Sequence, residues 1–254
     1  MKGKKKNIII NDSDDECEVE NFYSKKEVQA FCPKYHNPNY DPKTMPFKHP
    51  MRGVIVGASG SGKSNVLLDL IKKTMGTFNS IKIFTQDKDE ALYEYLASKI
   101  EPPQLEIFEG IDTFNKYDID SDLSHGQHLV IFDDMCIESA KKQKKIEELF
   151  IRGRKMSDKG LSMLYLTQSY YQTPIIIRKQ ATHLILKKVN GKRDIGAILK
   201  DSSIDADGKQ LQNMYNHCVK SADDISNFML IDKSASEDQR FRKNYKQVLN
   251  PNDF

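Results

Sequence analysis

The run Gly57-Ala58-Ser59-Gly60-Ser61-Gly62-Lys63-Ser64 limits what this chain can fold into more than any other stretch of it. It meets the phosphate-loop pattern of glycine, four residues, glycine, lysine and serine at every required position. Before it, residues 53–56 read as a buried strand; Asn65 follows it and opens a helical pattern over 65–75. A strand, a glycine-rich bend and a helix in that order turn successive backbone N–H groups inward on a polyphosphate, and the helix N-terminus adds a favourable dipole. Lys63 then neutralises the β and γ oxygens, and the Ser64 hydroxyl reaches Mg²⁺. Residues 57–65 are therefore the expected nucleotide-binding segment, with ATP and Mg²⁺ as cofactors. A Gly/Ser turn that merely ends in Lys-Ser has no reason to sit between a buried strand and a helix.

A phosphate loop needs a metal-holding acid on a neighbouring strand. His128-Leu129-Val130-Ile131-Phe132-Asp133-Asp134 is an apolar run emptying into two carboxylates. Asp133 is the expected metal-holding acid, and Asp134 the expected base on the attacking water. Such a run is common by itself and takes its meaning from the loop upstream. Residues 161–167 read as another strand, ending in Gln168-Ser169; Gln168 is expected to sense the γ-phosphate, the plainer reading being a loop cap. Arg152 and Arg154 flank Gly153 just before that strand. Their guanidinium groups suit a transferring phosphoryl, in the same subunit or a neighbouring one. They also suit a helix C-terminus, whose dipole favours cations.

Further strands are expected over 81–84, 105–108, 129–132 and 181–186, and helices over 89–100 and 146–155. The alternation predicts an α/β, P-loop NTPase fold: a central, mostly parallel sheet covered by helices on both faces, of the RecA-like, additional-strand type. A chain of 254 residues accommodates one such domain with tails. Residues 1–45, polar and punctuated by Pro33, Pro38 and Pro42, read as a flexible arm, 46–200 as the core and 201–254 as its C-terminal extension. Lys+Arg 39 against Asp+Glu 36 excludes a broadly basic nucleic-acid wrapper, so any DNA contact is local, at clusters such as Lys187-Lys188 and Lys192-Arg193. The run from Lys141 to Lys145 reads as solvated surface. Cys17, Cys32, Cys136 and Cys218 lack CxxC spacing, which points to an intracellular, reducing location, and Cys32 with His36 lacks the second ligand pair of a zinc site. The apolar residues 175–177 are closed at once by Arg178 and Lys179, so no membrane span is expected; nor does the start read as an export signal.

With these motifs in place the chain resembles the FtsK–HerA superfamily, and within it the DNA-packaging ATPases of large nucleocytoplasmic DNA viruses and virophages. The likeness rests on Met45-Pro46-Phe47 leading into the first strand, the Gly-Ser-Gly-Lys-Ser loop followed by Asn65, and Asp89-Glu90-Ala91-Leu92-Tyr93. It rests further on the strand-end acids, Gly153-Arg154, and Thr167-Gln168-Ser169 with Tyr170 and Tyr171 behind it. The resemblance implies an ATPase that drives double-stranded DNA into a capsid, assembled as a homo-oligomeric ring, pentamer or hexamer. It makes Arg154 the better arginine-finger candidate and Gln168 the sensor. Asp134 stands where many relatives have Glu, one methylene longer. A capsid vertex protein is an implied partner, and the viral factory of the host cytoplasm, or the virion, the implied location. Competing classes are another FtsK–HerA-type DNA pump not involved in packaging, a nucleoside or nucleotide kinase sharing the loop, and a nucleotide-switched binding module. The Asp-Asp and Thr-Gln-Ser strand ends point away from the kinase, and the intact acid pair away from the pure switch.

Overall fold

Alternate residues of a strand face opposite sides of its sheet. In β1 (Arg52–Val56) both sides are apolar, and Val54, Ile55 and Val56 are all fully buried. Such a strand needs cover above and below, which places it in the interior of a helix-covered sheet.

The computed structural model describes residues 19–189, 191–201, 206–219 and 225–254. The basic start, the acidic run after it and Cys17 lie outside the described residues. Two units are distinguished, Met1–Lys34 and Tyr35–Phe254. The described part of the first holds a short 3-10 turn, Phe22–Ser24, and α1 (Lys26–Gln29). The second begins at Tyr35, earlier than the composition suggests, because residues 35–45 are held by side chains far away in sequence. Gln127 brackets the backbone of His36, accepting from its N–H at 2.5 Å and donating to its carbonyl at 2.8 Å. The buried Arg242 guanidinium donates to the carbonyls of Pro42 (2.6 Å) and Lys43 (2.9 Å).

After β1 come α2 (Lys63–Lys73), β2 (Ser80–Thr85), α3 (Ala91–Ala97), β3 (Leu105–Glu109), α4 (Ile111–Lys116), α5 (Ile119–Asp122), β4 (His128–Asp133) and α6 (Ala140–Arg152). Then follow β5 (Leu161–Thr167), α7 (Ile175–Gln180), β6 (His183–Leu186), α8 (Lys192–Asp201), α9 (Gly208–Cys218), β7 (Met229–Asp232), β8 (Phe241–Lys243) and β9 (Gln247–Leu249). The nine strands form one sheet in the order β3-β2-β4-β5-β1-β6-β7-β8-β9. β1 to β6 pair in parallel, and β7 to β9 add an antiparallel meander at one edge.

The alternation divides the core in two. Val54, Val130, Phe132, Met163 and Tyr165 pack with residues of α4, α6, α7, α8 and α9 on one face. Ile55, Ile131, Leu164 and Ile185 pack with α2, α3, Met45, Phe47 and Phe228 on the other. The helix expected over 146–155 starts earlier, at Ala140, because Ser139 caps it and Gln143, Ile146, Leu149 and Phe150 form its buried stripe. This overturns part of the solvated reading of residues 141–145. Lys145 Nζ donates to the carbonyls of Phe114, Asn115 and Tyr117, closing the C-terminus of α4. Among the described residues no helix is long and apolar enough to cross a membrane.

Candidate active site

Because β1, β5 and β4 run parallel, their C-terminal ends share one edge of the sheet. β5 lies between the other two, with Val56 opposite Thr167 and Asp133 opposite Leu166. The loop leaving β1 and the acid ending β4 are thus two strand spacings apart, about 10 Å. Backbone hydrogen bonds bind both to β5: Gly57 N–H donates to Thr167 O at 3.0 Å, and Asp134 N–H to Leu166 O at 3.3 Å. Gln168, the residue after β5, is exposed between them.

Within the loop Gly62 has φ 87°, a left-handed conformation that glycine adopts without a steric penalty. A Cβ at Gly57 would overlap Ser61 Oγ and lie 2.6 Å from Lys187 Cβ, so only glycine fits where the loop leaves the strand. Lys63 is buried in the first turn of α2, its Nζ 3.4 Å from Ala58 O, while Ser64 is half-buried and Asn65 exposed.

Asp133 is 5% exposed and accepts a 2.6 Å hydrogen bond on Oδ2 from the Tyr93 hydroxyl of α3. Burial pushes its carboxyl up to about 6; the Tyr93 hydrogen bond opposes this, the charges of Asp134 and Glu90 add to it, and Lys63 opposes it. Lys63 and Asp133 therefore act in one electrostatic neighbourhood. Burial and the neighbouring Asp133 hold the Tyr93 phenol far above its ordinary range, so it stays a donor at all working pH. Asp134 has φ 52°, and its Oδ1 is buried without a hydrogen-bond partner. Such an atom costs about 1–3 kcal/mol unless satisfied. Tyr93 and Glu90 entered the sequence reading only as part of a helix start; nothing local signals their approach to Asp133.

The arginines lie elsewhere. Arg154 follows α6 and precedes β5, near Arg52 at the start of β1: burial, then the Arg154 charge, holds the Arg52 guanidinium below its ordinary value. That is the N-terminal end of the parallel strands, about 15 Å along β1 from its own phosphate loop. Arg154 is exposed there, and Arg152 pairs with Asp120 at 2.7 Å on the surface. Lys187 corrects the expected DNA cluster. It is 1% exposed, lies beside Gly57 and donates to the carbonyls of Ile225 (2.6 Å) and Asn227 (2.7 Å), whereas Lys188 is exposed. Covered by a later segment just after β6 ends, Lys187 is not a surface cation open to DNA.

A family model of the Poxvirus A32 protein matches residues 42–248. The chain belongs to this family. The A32 family is one of viral packaging ATPases, of the FtsK–HerA type that the motifs resemble, and this member is an ATPase. No curated protein sequence matches the chain significantly. Among solved structures, the genome packaging NTPase B204 of Sulfolobus turreted icosahedral virus 2, in complex with ATP-gammaS, superposes with a TM-score of 0.51 at 18% identity, covering 83% of this chain and 100% of that one. EssC (ATPases 2 and 3) of Geobacillus thermodenitrificans gives a TM-score of 0.51 at 12% identity, covering 80% of this chain and 40% of that one. At these identities the likeness is one of fold, and the fold shared with this A32-family member is that of P-loop NTPases.

Proposed function

We propose that the protein is an ATP-driven motor that moves double-stranded DNA into a viral capsid, working as a homo-oligomeric ring, pentamer or hexamer. Membership of the A32 family supports packaging. One observation carries the motor reading: the Lys63 loop and the Asp133-Asp134 pair lie at the C-terminal ends of neighbouring parallel strands on either side of β5, while Arg154 stands at the N-terminal ends. An arginine so placed is out of reach of its own phosphate loop. In a head-to-tail ring that end of the strands faces the next subunit's nucleotide, where a guanidinium stabilises transition-state charge.

In this mechanism the backbone N–H groups of residues 57–64 cradle the phosphates of ATP, and Lys63 neutralises the β and γ phosphate oxygens flanking the P–O bond that breaks. Asp134, whose unpartnered oxygen is the donor-seeking atom of the site, takes the proton of the attacking water, and Gln168 senses the γ-phosphate. Ser64 and Asp133, a hydroxyl and a carboxylate, fit a hard cation and would hold Mg²⁺, which when bound would neutralise charge on the transferring group. Among the described residues no cluster of three His, Cys, Asp or Glu forms an all-protein cage. Tyr93 keeps the Asp133 carboxylate ionised and aimed. The capsid vertex is the proposed partner, and the viral factory of the host cytoplasm the proposed place of work.

The test is ATP hydrolysis by purified protein with and without linear duplex DNA, across a series of salt concentrations. Duplex DNA should raise turnover, and the stimulation should weaken as salt rises, because phosphate contacts release counterions. Turnover indifferent to DNA at every salt concentration overturns the DNA reading while leaving the ATPase intact.

A further inference from the structure

The loop after β5 and helix α8 after β6 arise on either side of β1, and between them lies a groove of about 1020 Å³. One wall comes from residues between Tyr171 and Lys179, the other from Arg193, Gly196, Ala197, Lys200 and Asp201 of α8. Arg178 and Asp201 pair at 3.1 Å in its floor, and the guanidinium stacks 5.3 Å from the Tyr170 ring, so these two charges neutralise each other. Lys179, Arg193 and Lys200 are exposed around it. Among the described residues none of the three forms a side-chain ion pair or hydrogen bond. The groove therefore presents unpaired positive charge in a chain whose net charge is only +3. Arg193 and Lys200 stand seven residues apart on one helical face, about 10 Å along the axis. A duplex carries one charge per roughly 1.7 Å of its axis, so both can meet phosphates of one backbone. Tyr171, exposed at the rim, adds a ring that can lie against sugar or base.

One buried carboxylate joins this groove to the nucleotide edge. Asp194, in the first turn of α8 and 4% exposed, accepts from Ser169 Oγ at 2.8 Å and from Tyr171 N–H at 2.9 Å. Ser169 follows Gln168, which follows β5. A shift of the Gln168 loop thus pulls on α8 and its basic face, and a load on α8 pulls on Gln168.

We propose that this groove holds the phosphodiester backbone of the DNA, and that Asp194 is the positioning residue through which DNA and the nucleotide site sense each other. The proposal rests on the DNA reading above and adds where the DNA lies and how the coupling runs. It is reciprocal: whatever nucleotide does to DNA affinity through this tie, DNA does to nucleotide affinity.

The experiment measures binding of a fluorescent linear duplex by anisotropy, and duplex-stimulated ATP turnover, on the full chain. R193E/K200E should weaken duplex binding about tenfold or more and lower the slope of log affinity against log salt by about 2. K141E/K144E, which reverses two exposed lysines on α6, controls for net charge and should change affinity less than about twofold. D194A should bind duplex as the wild type does yet lose stimulation by about fivefold or more, and D194N, which keeps the accepting oxygen, should restore it. Wild-type protein that binds no duplex overturns the DNA reading and the groove with it. Wild-type binding that R193E/K200E leaves unchanged, or that K141E/K144E weakens equally, overturns the groove alone. Full stimulation in D194A, or none in D194N, overturns the tie.

Discussion

His49 should make the protein lose stability below neutral pH. Its ring is 2% exposed, with Nδ1 2.7 Å from Ser162 Oγ and Nε2 2.9 Å from the Lys159 carbonyl. A carbonyl only accepts, so Nε2 carries the proton and the neutral ring is complete with Nδ1 accepting from the serine. Burial, aided by the charge of His128 and opposed by the backbone carbonyls, lowers its pKa from 6.5 to about 4. Between those values the unfolded chain binds a proton that the folded chain refuses, so stability is whole above pH 6.5 and drains as pH falls toward 4. At about 1.4 kcal/mol per unit the full loss is about 3 kcal/mol, and roughly 2 kcal/mol of it is gone by pH 5. The assay is urea unfolding at pH 7.5 and pH 5 for wild type and His49→Gln. The variant starts less stable, but its drop between the two pH values should be smaller than the wild type's by about 2 kcal/mol. His128, also depressed by burial, titrates in both proteins, so its own contribution largely drops out of the comparison. Equal drops, or an NMR titration of folded wild type placing His49 above pH 5.5, would refute the reasoning.

Asp134→Asn should retain ATP binding and lose about 100-fold or more in turnover, the usual contribution of a positioned base; turnover within tenfold of wild type would remove Asp134 from that role. Arg154→Ala and Lys63→Ala should each be inactive alone and regain hydrolysis when mixed, because a mixed ring contains intact loops facing intact arginines; no recovery on mixing would place the finger elsewhere. Tyr93→Phe removes a hydrogen bond to a buried carboxylate worth about 1.5–3 kcal/mol, so turnover should fall about tenfold or more while nucleotide affinity changes little. Equal losses in kcat and in nucleotide affinity would point to a general loss of structure instead.

The phosphate loop was legible because its function is local. Eight successive residues, a strand before and a helix after contain the whole geometry, down to the φ of Gly62. The Asp133 strand was legible for a similar reason: a strand covered on both faces must be apolar throughout, and its polar exit then stands out. The extent of α6 was not, because Lys141 to Lys145 looked like surface until the carbonyls ending α4 came to meet Lys145. The edge meander also escaped, since strands as short as β8 and β9 show too little alternation to declare themselves.

From the residues alone came the chemistry available to this protein: a polyphosphate cradle, two carboxylates, an amide and two arginines. Which of them can act together was decided by the order of strands in the sheet. β5, inserted between β1 and β4, bridges the cradle and the acids at its C-terminal end, and Arg154, which precedes β5, is left at the other end of the strands. The same packing brings Tyr93 to Asp133, buries Lys187 beneath Ile225 and hangs α8 from Ser169 through Asp194. Those contacts join residues distant in the chain, and no local pattern of hydrophobicity or charge encodes which distant partner a buried polar group will find.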